Sequence, residues 1–251
     1  TYGTPGVESD GFYPPFRQKF DLIRNDSSIR FGILTGDIVN LSTNRNWDEI
    51  DRDIAHLGRK VYFAVGNHDM SDRELYESRY GPTYYSMFYN KDLFLILDPN
   101  LDHWNISGDQ LQFLKKELTQ KAEFADHIFV FFHQVLWWAP DNRFKNVDLN
   151  SLSGRADTIN FWRDVEPLLH SMPKPVYLFA GDVGAFPTGD EFMYYRYDTV
   201  TLIASGMGGG VRDNFVIADV YSDETVSFRL IALNGDDIHA LGNLEDYKLE
   251  E

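Results

Sequence analysis

Four apolar runs in this chain end in the same way, and that repetition constrains its fold more than any other feature. Residues 31–35 run into Gly36-Asp37, residues 61–65 into Gly66-Asn67-His68-Asp69, residues 128–132 into His133, and Val176–Ala180 into Gly181-Asp182-Val183-Gly184. Runs of this length, rich in Val, Ile, Phe and Tyr, read as strands, and that of residues 61–65 suits a strand buried on both faces. Polar side chains just past their carboxyl ends gather where the loops of an α/β sheet converge.

Taken singly, each ending has an ordinary explanation. Gly-Asp after a strand is usually a turn or a helix cap, and a lone histidine is more often packed than functional. Asn67-His68-Asp69 stands out, because three ligand-type side chains in succession are costly to crowd together without a task. Together the four endings supply oxygen and imidazole donors suited to Mn, Fe, Zn or Mg. With no cysteine, disulfides, thiolate metal sites and cysteine nucleophiles are excluded.

The remainder supports one domain over residues 1–251, with loop-like ends at 1–15 and 240–251. Helical patterns at 16–24, 47–57, 72–80, 108–118 and 158–170 alternate with the apolar runs. A hairpin is expected from 84–89 and 93–97, and Ser107 with Gln110 reads as a capping box opening the fourth helix. From residue 191 the pattern turns to short β runs at 192–197, 199–204, 215–221 and 226–233. Alternation followed by a β-rich end predicts an α/β fold of two packed sheets flanked by helices. A net charge of −16 repels polyanions, so nucleic acid is not expected as a partner. The chain shows neither the roughly 18-residue apolar stretch of a membrane span nor the ordering of a signal peptide in residues 1–10. It reads as soluble, and the lack of cysteine suits the cytoplasm or an extracytoplasmic compartment equally.

In order and spacing, Gly36-Asp37, Gly66-Asn67-His68-Asp69 and Phe132-His133 resemble the second, third and fourth signature blocks of the calcineurin-like metallophosphoesterases. Tyr84-Tyr85-Ser86, Asp98, Asp109-Gln110-Leu111 and residues 114–118 resemble that family's middle segment, and Gly206-Met207-Gly208-Gly209-Gly210 its late glycine loop. The resemblance implies a four-layer αββα sandwich of two mixed β-sheets. It also implies hydrolysis of a phosphate mono- or diester by metal-activated water, with one or two divalent cations per chain and a small phosphate-ester substrate. Asp37 would bridge two cations, with Asn67, His133 and Asp182 on one of them. His68 would protonate the leaving group or stabilise the phosphoryl oxygens, and Asp69 would help to orient it.

Two departures from the family stand out. Its opening strand, ending in Asp-x-His, has no counterpart in residues 1–10, where Asp10 is the only candidate, so the domain is expected to lack its first strand. Its closing Gly-His-x-His is replaced by Gly181-Asp182-Val183-Gly184, which keeps a carboxylate and loses a ligand. The alternative is therefore a catalytically weak relative acting as a metal-stabilised binding module; a metal-free αβ sandwich is a third reading. Trp137 and Trp138 read as packing or as a substrate wall. Arg143, Arg155 and Arg212 are phosphate contacts by charge alone, and His103, His127, His170 and His239 read as structural or surface residues.

Overall fold

A computed structural model of the chain describes residues 2–3, 11–186 and 190–249. Asp10 lies outside them. Ten strands are formed: β1 (Phe31–Leu34), β2 (Lys60–Phe63), β3 (Tyr85–Tyr89), β4 (Asp92–Ile96), β5 (His127–Phe131), β6 (Val176–Ala180), β7 (Phe192–Tyr197), β8 (Val200–Ser205), β9 (Asn214–Val220) and β10 (Val226–Ala232). Six of them build a mixed sheet in the order β3-β4-β5-β6-β8-β7, parallel from β4 to β8 and antiparallel at both edges.

Because side chains alternate across a strand, the central strands are apolar on both faces and meet two different layers. On one face Leu93, Leu95, Ile128, Val130, Leu178 and Leu202 pack against helix α5 (Gly108–Lys121) through Leu114 and Leu118. The other face carries aromatic residues. There Phe94 stacks on Phe129 and Phe131 on Phe179, with ring centroids 5.0 and 4.7 Å apart. This second face packs on the parallel pair β1-β2 and the antiparallel pair β9-β10, through Phe31, Ile33, Phe228 and Leu230.

A third core closes the sandwich. Leu34, Val61 and Phe63 meet Trp47, Ile50 and Leu57 of α3 (Asn44–Leu57), together with Phe16 of α1 (Pro14–Arg17) and Phe20 and Ile23 of α2 (Phe20–Asn25). Thr43 caps α3 by accepting from the Asn46 amide, and Gly58 ends it in the left-handed region (φ 65°). α4 (Arg73–Tyr80) completes this outer layer through Tyr76. The architecture is the four-layer αββα arrangement.

Several local expectations are corrected. Ser107 and Gln110 do not form a reciprocal cap. Ser107 Oγ donates to Asp102 (2.5 Å), whereas Gln110 turns inward, accepting from the Asp98 amide (2.6 Å) and donating to its carbonyl (3.0 Å). The helix expected over 158–170 is a π turn, Phe161–Val165, followed by α6 (Glu166–His170), because Pro167 has no amide to continue the regular ladder. Residues 244–249 are docked on the sandwich. Leu244 is fully buried, and the Leu249 amide donates to Tyr194 O (2.9 Å).

β1 is half-buried throughout, and β2, where burial on both faces was expected over residues 61–65, is only half-buried at Val61 and Tyr62. Among the described residues β1 pairs with β2 alone, and β9 with β10 alone. No helix among the described residues is long and apolar enough to cross a membrane.

Candidate metal centre

The loops leaving β1, β2, β5 and β6 bring the sequence-selected side chains to one end of the sandwich, and close packing of these tips depends on glycine. A Cβ on Gly36 would lie 2.5 Å from His133 Nδ1, and one on Gly66 would lie 2.2 Å from Asp37 Oδ1 and 2.4 Å from the Asp37 amide nitrogen. Only a residue without a side chain lets these tips approach so closely. Asp37 itself sits at φ 48°, a region that aspartate tolerates better than most residues.

His133 stands at the middle of the cluster. Its Nδ1 lies 2.7 Å from Thr35 O. A carbonyl can only accept, so Nδ1 carries the proton and Nε2 faces inward. There Nε2 lies 3.4 Å from Asp37 Oδ1 and 3.7 Å from Asp182 Oδ1. His133 and Asp182 are almost wholly buried, and among the described residues both His133 Nε2 and Asp182 Oδ2 lack a hydrogen-bond partner.

Electrostatics follow from this crowding. Burial opposes the charged imidazole of His133, but the Asp37 and Asp182 carboxylates outweigh it and push the group up to about 10. Burial would raise Asp37, yet the charge of His133 holds its carboxyl well below the usual range. Burial and the neighbouring Asp37 push the Asp182 carboxyl up to about 6.

Asp69 does not orient His68 as the resemblance implied. Its Oδ1 accepts from the Ile38 and Val39 amides (2.8 and 3.0 Å) and its Oδ2 from the Gly66 amide (2.8 Å). Fully buried, and pushed up to about 6 by burial and Asp37, it ties the β1 loop to the β2 loop. The His68 imidazole is held instead by Asn40 O, 2.8 Å from Nδ1, while Nε2 points towards Asp37 Oδ2 at 3.9 Å. Asn67 lies between two anchored amides, that of Gly66 on Asp69 and that of His68 on Asp37 Oδ1 (3.2 Å).

His133 Nε2 and Asp37 Oδ1 have the spacing of two donors to one divalent cation. Donors each about 2.0–2.2 Å from a shared cation lie roughly 3.0–3.5 Å from one another. The His133–Asp37 separation falls in that range and the His133–Asp182 separation just beyond it. A histidine whose other nitrogen is fixed on a backbone carbonyl is the usual pre-oriented ligand. The three side chains do not close on a single point, and among the described residues no finished cage of three or more His, Asp or Glu is present.

Gly184 adds no donor, and its surroundings leave no room for one. It adopts φ 79°, and a Cβ there would meet the Gly206 carbonyl carbon at 3.0 Å and Glu191 Cα at 3.3 Å. The glycine loop thus packs into the space a side chain would need.

The other sequence candidates resolve as structural. Trp137 is fully buried, its indole N–H directed at Met193 Sδ (3.2 Å). Trp138 packs on the Arg155 guanidinium, whose nitrogens donate to the Ala156 and Asp157 carbonyls. Arg143 donates to the Tyr195 hydroxyl, and Arg212 pairs with Glu191 at 3.0 Å. His127 lies between Asp92 and Glu224 O, His170 beside Glu166 and Asp198, and His103 near Gly154 O.

Three contributors carried no sequence signal: the carbonyls of Thr35 and Asn40, and Asn150. Asn150 braces the loop beyond Asp182, donating from its amide to Asp182 O (3.0 Å) and accepting from the Ala185 amide (2.7 Å). Tyr2 was also missed. Its amide donates to Asp37 O (3.0 Å) and its ring lies 5.2 Å from that of His68.

Comparison with known proteins agrees with this architecture. A purple acid phosphatase from yellow lupin (Lupinus luteus) seeds superposes over 88% of this chain and 47% of its own, with a TM-score of 0.63 and 14% identity. The chain therefore spans about half the length of that enzyme. A dimetal phosphatase from Danio rerio superposes over 89% of this chain and 88% of its own, with a TM-score of 0.59 and 15% identity. At these identities the likeness is one of fold. No curated protein matches the chain in sequence. The calcineurin-like phosphoesterase family model, however, matches residues 9–206 of the 251, and the chain belongs to the calcineurin-like phosphoesterase family.

Proposed function

We propose that the chain is a metal-dependent phosphoesterase domain that acts on a small phosphate mono- or diester. Asp37, Asn67, His133 and Asp182 would hold one divalent cation, drawn from Mn, Fe, Zn or Mg. A cation bound there supplies charge to neutralise the phosphoryl oxygens and to acidify the attacking water. The observation that carries the reading is the inward Nε2 of His133, buried between two carboxylates without a hydrogen-bond partner among the described residues while Nδ1 is fixed on Thr35 O. His68, partly exposed and held by Asn40 O, would give a proton to a leaving oxygen. Asp69 and Gly66 fix the loops on which these groups stand.

A second cation position has Asp37 alone among the residues selected. The steric closure at Gly184 favours the other reading, a metal-stabilised binding module.

Elemental analysis and turnover of an aryl phosphate separate the two. The chain is expected to hold about one cation and to turn over slowly. His68→Asn should retain metal and lose about 10²–10⁴-fold in turnover. A chain that holds its cation and shows no turnover would move the assignment to the binding module.

A further inference from the structure

The N-terminal residues Tyr2 and Gly3 are stapled to the centre by backbone bonds. The Tyr2 amide donates to Asp37 O (3.0 Å), the Gly3 amide to Gly11 O (2.9 Å), and Tyr2 bridges Phe12 in antiparallel fashion. Phe12 is itself fully buried against Phe16 and Phe20, and its amide donates to Asp53 (2.8 Å). Tyr2 is therefore anchored on the core side while its ring, half-buried, lies tilted at 48° beside the His68 imidazole. Burial, with the charges of Asp37, Asp69 and Asp182, raises its phenol above the ordinary tyrosine value, so the hydroxyl beside this centre keeps its proton.

We propose that Tyr2 is a substrate-binding residue of this centre, donating a hydrogen bond from its neutral phenol to a phosphoryl oxygen of a bound phosphate or phosphate ester. The inference rests on the phosphoesterase reading of the same site. A tyrosine suits the task because it offers a donor without adding charge to an already acidic cluster. The ring against His68 also keeps the imidazole from swinging off its Asn40 contact.

The test is titration of inorganic phosphate into the Mn²⁺-loaded chain and its Tyr2→Phe and Tyr2→Ala variants. Calorimetry reads affinity, and NMR follows the His68 ring protons before phosphate is added. Tyr2→Phe keeps the ring and loses only the hydroxyl, so phosphate should bind about tenfold more weakly or worse, with the His68 signals in place. Tyr2→Ala should bind at least as weakly and also shift the His68 signals. Tyr2→Phe binding phosphate as tightly as the parent would overturn the role of the hydroxyl and leave the phosphoesterase reading standing. A parent chain that takes up Mn²⁺ but no phosphate would overturn both.

Discussion

Restoring a histidine at position 184 should not restore a metal ligand. Gly184 holds φ 79°, where a residue with a Cβ costs about 1–2 kcal/mol. The same Cβ would lie 3.0 and 3.2 Å from the Gly206 carbonyl carbon and oxygen and 3.3 Å from Glu191 Cα. All three are backbone atoms, which cannot swing aside as a side-chain tip can, and such overpacking costs about 1–3 kcal/mol. Gly184→Ala should therefore lose about 2–5 kcal/mol, and Gly184→His no less. At roughly 2–4 °C per kcal/mol for a chain of this size, melting should fall by several degrees or more. Thermal unfolding by circular dichroism reads the loss, and elemental analysis after Mn²⁺ loading reads the cation count, expected to be unchanged. A Gly184→His variant as stable as its parent, or one that gains a cation, would refute the steric argument.

Asp69→Ala should leave three buried amides, those of Ile38, Val39 and Gly66, without an acceptor. Each costs about 1–3 kcal/mol, partly offset by no longer burying a carboxylate. A net loss of about 3 kcal/mol in urea unfolding and weakened Mn²⁺ binding are expected; unchanged values of both would show that the loops stand without it. The raised His133 gives a pH signature. Its folded form holds a proton more tightly than the unfolded one, so this stabilisation is complete below about 6.5 and lost as pH rises towards 10. The urea midpoint of the metal-free chain should fall over that window, and His133→Asn should flatten the profile; matching profiles would count against the buried pairing. Thr43→Ala, which removes the α3 cap, should cost about 1 kcal/mol in the same assay, and a value near zero would show the cap to be idle.

The parts legible in the sequence were those set by side-chain periodicity. Val176–Ala180 and Phe192–Tyr197 are strands with the expected bounds, and the hairpin at β3-β4 is shifted by about one residue. These runs are apolar on both faces or bounded by turn residues, so local pattern and tertiary burial agree. The inward turn of Gln110 onto Asp98 was illegible, because a capping box and a buried amide leave the same residues at the same spacing. Asp69 was misread for a similar reason: its neighbour in sequence is His68, but its neighbours in space are three backbone amides. Backbone carbonyls that aim imidazoles, such as Thr35 O and Asn40 O, belong to no residue type and leave no trace. Tyr2 reaches the centre through its amide bond to Asp37 O and its bridge to Phe12, neither of which periodicity announces.

In the proposed site Asp37, His133 and Asp182, with Asn67, hold a divalent cation. Anomalous scattering from a crystal of the chain grown with Mn²⁺ tests it most directly. The expected result is one strong peak about 2.0–2.3 Å from His133 Nε2 and within bonding reach of carboxylate oxygens of both Asp37 and Asp182. A map without a peak at that position, or one in which Asp182 turns away while the cation rests on other residues, would contradict it.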